Sequence, residues 1–60
     1  MPRIYVEWFE GRDKSIRDAL AAKITDVVIE IVKVQPEAVT IVFKENPRGK
    51  VYKAGKSSEL

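Results

Sequence analysis

The hydrophobic pattern of this chain changes period twice, and that succession leaves room for little else. The run Pro2-Arg3-Ile4-Tyr5-Val6-Glu7-Trp8-Phe9 has the period of a β-strand. Ile4, Val6 and Trp8 fall on one face, and Tyr5 and Phe9 fall on the other with Arg3 and Glu7. Gly11 breaks the strand, and Asp13 stands where a helix N-cap belongs. From about Lys14 to Val32, Ile16, Leu20, Ile24, Val27, Val28 and Ile31 recur at spacings of three and four. That is one apolar stripe of an amphipathic helix, with Arg17, Asp18, Asp26, Glu30 and Lys33 opposite. Ala19, Ala21 and Ala22 favour the helix and allow a neighbour to approach closely. Pro36 cannot continue it. Val39 to Phe43 is a second strand, apolar on both faces except at Thr40. Strand, long helix and strand form a β-α-β unit, whose crossover makes the strands parallel and the connection right-handed.

The fold class is therefore α/β (α+β): one β-α-β unit followed by a short arm. Asn46-Pro47-Arg48-Gly49 has the composition of a turn. Lys50-Val51-Tyr52-Lys53 reads as a short strand or hairpin arm. Residues 54–60 are small and polar, and are expected to be a mobile tail. Residues 1–60 are expected to form a single domain.

A two-stranded sheet under one helix leaves a face and two edges open. A chain of 60 residues buries only about 60% of its unfolded surface and is marginal alone. Small folds are usually completed by disulfides, a metal or oligomerisation. The sequence has no Cys and no His, which removes a disulfide framework, the usual zinc ligands and Ser-His or Cys-His nucleophiles. Oligomerisation remains, most simply with a copy of itself. The hydrophobic fraction of 45% is that of a globular chain. The net charge of +2 is small and its basic residues are interleaved with acidic ones, which argues against a nucleic-acid partner. No apolar run suits a bilayer and no signal-peptide pattern is present. The absence of Cys is compatible with the cytoplasm, the expected location.

The chemistry-bearing residue is Pro2. If Met1 is removed, the chain begins with a secondary amine that no side chain duplicates. An α-amino group titrates at about 7.7–8.0, and burial among apolar groups disfavours its charged form. A neutral amine near pH 7 is a general base and its conjugate a general acid. Taken alone, Pro2 reads more simply as a strand start that needs no donor. Arg12 alone reads as a solvated loop residue pairing with Glu10 or Asp13.

The combination changes that balance. Pro2, the Phe9-Glu10-Gly11-Arg12 segment, the helix with Leu20, the Gln35-Pro36-Glu37-Ala38-Val39 turn, Glu45 after the second strand and a terminal Ala54-Gly55 together resemble the 4-oxalocrotonate tautomerase family over nearly the whole chain. The resemblance implies a fold completed by oligomerisation, as a homohexamer built as a trimer of dimers. It implies an isomerase that works without metal or cofactor on a small carboxylate substrate, an unsaturated 2-hydroxy or 2-keto acid. It casts Pro2 and Arg12 as the catalytic residues, Pro2 moving the proton and Arg12 gripping the carboxylate with a planar fork. Phe9 falls at an apolar wall position. Thr40 stands where the best-known members carry a second arginine, and a neutral hydroxyl does not supply that charge. Val51 falls at a pocket aromatic, with Tyr52 beside it and able to fill the place after a shift of one residue. Lys53 stands where an apolar residue is usual. Two other readings stay open: a family member that hydrates or dehalogenates unsaturated acids with the same two residues, and a non-catalytic oligomeric module using Lys50, Lys53 and Lys56 on an anion or partner.

Overall fold

The computed structural model describes residues 2–57. Strand β1 is Arg3–Phe9, helix α1 is Lys14–Val32 and strand β2 is Thr40–Asn46. A 3₁₀ turn over Pro36–Ala38 joins the helix to β2. β1 and β2 pair in parallel, from Arg3 opposite Thr40 to Phe9 opposite Asn46. The ladder is extended at both ends: Thr40 N–H donates to the Pro2 carbonyl at 3.1 Å, and Glu10 N–H to the Asn46 carbonyl at 2.9 Å. The expected β-α-β unit is present, with β2 running three residues past the Phe43 at which its apolar stretch ends.

α1 has the expected limits, and both ends have local causes. The Asp13 carboxylate accepts from Ile16 N–H at 3.3 Å and from the Ser15 hydroxyl at 3.0 Å, satisfying one of the helix's orphan donors. At the other end Lys33 turns left-handed, with φ 66°, and its N–H donates back to the Ile29 carbonyl at 3.0 Å. The helix thus ends at Val32, four positions before Pro36.

The phase of the helix differs from the expected stripe. Its half-buried positions are Arg17, Leu20, Ala21, Ile24, Thr25, Val28 and Ile29. Ile16, Val27 and Ile31 stand 48%, 51% and 72% exposed. The apolar residues span a wider arc than one sheet face covers, and packing keeps Leu20, Ile24 and Val28 of the expected stripe while adding Ala21, Thr25 and Ile29 beside them. Thr25 tolerates this position because its hydroxyl donates to the Ala21 carbonyl at 2.8 Å.

The residues expected to form a tail begin inside a hairpin. Tyr52–Lys53 (β3) and Lys56–Ser57 (β4) form an antiparallel hairpin. Ala54 and Gly55, with φ of 54° and 78°, make its two-residue turn. The rest of the expected tail, residues 58–60, lies outside the described residues, as does Met1.

The single chain is unfinished as a globule. None of the described residues is buried. The surface is 4831 Å², against about 4000 Å² for a compact monomer of this mass. The radius of gyration is 14.4 Å, against about 10 Å for a compact chain of this length. The hairpin has little of its own to hold it, since it places Lys53 opposite Lys56.

Candidate active site

Parallel pairing sorts the expected site residues to two ends of one strand. Pro2 precedes β1 and is tied through its carbonyl to Thr40, the first residue of β2. Phe9 ends β1, and the chain then turns through Gly11, whose φ of 122° no side chain adopts comfortably, to Arg12. Seven residues of strand separate the ends, roughly 23 Å at the rise of a β-strand.

At the Phe9 end, Glu7, Trp8, Phe9, Asn46 and Val51 line a cavity of about 270 Å³. The Glu7 carboxylate there accepts from the Asn46 amide at 2.8 Å. Phe9 and Val51, each expected at a substrate pocket, both line this cavity. Tyr52, the alternative to Val51, is 66% exposed and does not line this cavity. Thr40 is at the other end with Pro2.

Arg12 does not pair with Glu10 or Asp13. Its Nη1 donates to the Phe9 carbonyl at 3.2 Å, and its guanidinium lies 4.6 Å from the centre of the Trp8 ring. Stacking uses the face of the guanidinium, so most of its five in-plane N–H donors remain for a ligand. A second guanidinium, that of Arg48, lies 5.1 Å from the centre of the Phe9 ring. Among the described residues neither Arg12 nor Arg48 has a carboxylate partner, whereas Arg17 pairs with Glu45 at 3.4 Å. The Phe9 end therefore combines apolar walls from Trp8, Phe9 and Val51 with the Glu7–Asn46 pair, and is flanked by two unneutralised cations that offset the Glu7 charge and can receive a small organic anion.

Trp8, Arg17, Glu45 and Arg48 were not among the expected site residues. Trp8 reads as strand core, Arg17 as the polar side of a helix, and Arg48 as part of a turn. Trp8 and Glu45 are 37 residues apart, and nothing local in the sequence joins them. Among the described residues no cluster of three or more carboxylates, Cys or His offers a metal site, and no helix is long and apolar enough to cross a membrane.

Fold and site together define a small α/β protein whose candidate site is divided between the two ends of its first strand. The chain belongs to the tautomerase family: the family model of tautomerase enzymes matches residues 2–60. A probable tautomerase of Ralstonia nicotianae is 36% identical over 45 residues, which is 75% of this chain and 69% of that protein. A probable tautomerase of Streptococcus pyogenes serotype M3 is 30% identical over 59 residues, covering 98% of this chain and 97% of that one. Among solved structures, TomN, a 4-oxalocrotonate tautomerase homologue in the tomaymycin biosynthetic pathway, superposes with a TM-score of 0.86 at 30% identity. That match covers 93% of this chain and 86% of TomN. The fold is that of the 4-oxalocrotonate tautomerase homologues, and the family supports an activity of the isomerase type.

Proposed function

We propose that this protein is a cofactor-free keto–enol tautomerase acting on a small unsaturated 2-hydroxy or 2-keto acid, with the free amine of Pro2 as general base and acid. The observation that carries the reading is the pairing of chemistries at the two ends of β1. One end offers an amine, and the other a cavity walled largely by Trp8, Phe9 and Val51 with an unneutralised arginine held on the Phe9 carbonyl beside it. A small acid cannot bridge roughly 20 Å, so the two ends of one copy do not serve the same substrate. In the proposed homo-oligomer, a hexamer built on dimers with four-stranded sheets, the Phe9 end of one copy meets the Pro2 end of another. The unburied chain and the exposed Ile16, Val27 and Ile31 support such an assembly.

Arg12 holds the substrate carboxylate through charge-assisted N–H donors. The neutral Pro2 amine removes the proton of the 2-hydroxyl, and the electrons of the O–H bond become the C2 carbonyl. The C2–C3 double bond then takes a proton at C3 from the prolinium, which regenerates the amine. Protons and electrons balance with no other reactant. Phe9 and Val51 exclude water and so favour the neutral amine. With Thr40 neutral, stabilisation of developing charge falls to Arg12 and Arg48, which fits a modest rate rather than a fast one.

The test is an ultraviolet assay with phenylenolpyruvate. Protein that begins at Pro2 should turn it over. Protein with one residue left ahead of Pro2, whose nitrogen is then an amide, should be nearly inactive while keeping its assembly by sedimentation. Equal rates from the two would reject the amino-terminal mechanism.

A further inference from the structure

Arg12 sits on a loop, yet its position is determined by groups that the proposed chemistry does not use. The Arg17 Nη1 donates to the carbonyl oxygen of Arg12 at 3.1 Å, holding its backbone from the first turns of the helix. The same Nη1 lies 3.4 Å from Glu45 Oε2. That oxygen also accepts from the Trp8 indole N–H at 3.1 Å. The Trp8 ring is the platform under the Arg12 guanidinium, and it is stacked in turn on Phe43, 5.1 Å between centres with planes 23° apart.

We propose that Arg17, Glu45 and Trp8 form a positioning relay for Arg12, in which one carboxylate oxygen sets both the backbone and the aromatic platform of the carboxylate-binding arginine. The relay rests on the reading of Arg12 given above. Glu45 is suited to it for two reasons. It is the register partner of Trp8 on β2, so the parallel ladder fixes its distance from the indole. It also neutralises Arg17, so the cations left without a carboxylate partner at this end are Arg12 and Arg48. The two side chains of the pair are 32% and 29% exposed. That is enclosed enough to hold one geometry and wet enough to avoid a heavy desolvation penalty. Arg17 exceeds a purely structural need, since an apolar residue at this half-buried helix position would pack against the sheet as well. Its guanidinium instead reaches two oxygens on two different segments.

The relay makes a prediction that plain stabilisation does not. Glu45→Gln removes the charge that holds Arg17, and Trp8→Phe keeps an aromatic face for Arg12 but deletes the N–H donor to Glu45. Each should raise KM for phenylenolpyruvate about three- to tenfold, the worth of one or two ordinary hydrogen bonds, with kcat changed less. Arg17→Lys should recover part of the loss seen in Arg17→Met. In an Arg12→Ala background the same substitutions should have no further effect on KM, because the residue they act through is gone. Trp8→Phe preserves the stacked pair and so keeps the test available if Glu45→Gln assembles poorly. Equal KM losses with and without Arg12 would overturn the relay, as would no change in KM in either single variant. If Arg12→Ala itself leaves KM unchanged, it is the assignment of Arg12 that fails.

Discussion

The division of the candidate site between two ends of one strand leads to a complementation experiment. One parent carries an extra residue ahead of Pro2, so that its amine is blocked and its Arg12 is intact. The other carries Arg12→Ala, with its Pro2 free. Removing a charge-assisted contact is worth about 1.5–3 kcal/mol, so Arg12→Ala should retain roughly 1–10% of kcat/KM. The blocked parent should retain almost nothing. The two are then co-expressed in equal amounts with different tags, and mixed oligomers are purified through both. In the proposed assembly each site takes its amine from one copy and its arginine from another. The chance that both are intact is one half times one half, so about one quarter of the sites should be fully competent. The specific activity of the mixture should approach about 25% of the unmodified protein, against an average of the parents no greater than about 5%. The assay is the initial rate with phenylenolpyruvate well below KM, with mass measurement confirming mixed assembly. Mixed oligomers no more active than the average of their parents would refute the geometric argument. That outcome would mean that Pro2 and Arg12 act within one copy despite the roughly 20 Å of strand between them.

The pH dependence should follow the amine. The active form is unprotonated, and both apolar cover and the positive charge of Arg12 disfavour the ammonium. kcat/KM should therefore rise with pH through a pKa at or below about 7.7–8.0. A rate falling steadily from pH 6 to 8 would contradict the base. The assembly should be a stable homo-oligomer at micromolar concentration in sedimentation, since no described residue is buried in one copy. Leu20 is half-buried in one copy, and the assembly is expected to complete its enclosure. Leu20→Ala should then cost about 2–5 kcal/mol, read as a lowered Tm. A Tm unchanged in that variant would mean that the helix packs through other residues.

The local elements were legible in the sequence because their causes are local. Asp13 caps the helix through a contact three residues away, Pro2 to Phe9 carries its own alternation, and a helix of 19 residues between two strands leaves only a parallel crossover. The hairpin was half legible: Lys50 to Lys53 read as an arm, but the left-handed Ala54 and Gly55 that return it read as the start of a tail. Phe9 and Val51 were placed near a binding surface through resemblance to a family, and the cavity brings them together. The rotation of the helix was not legible. Its apolar arc is wide enough to offer several faces, and only contact with the sheet decides that Ala21, Thr25 and Ile29 turn inward while Ile16, Val27 and Ile31 stay out. The relay under Arg12 was equally hidden. Trp8, Arg17 and Glu45 come from the first strand, the helix and the second strand, and the parallel register alone puts Glu45 beside Trp8. The sequence offered Pro2 and Arg12 as candidates, because a secondary amine and a planar guanidinium are properties each residue owns, but only their combination across the chain set them apart from a strand start and a solvated loop residue. The tertiary structure decided that the amine and the arginine lie at opposite ends of a strand, because distance between residues depends on how the whole chain packs.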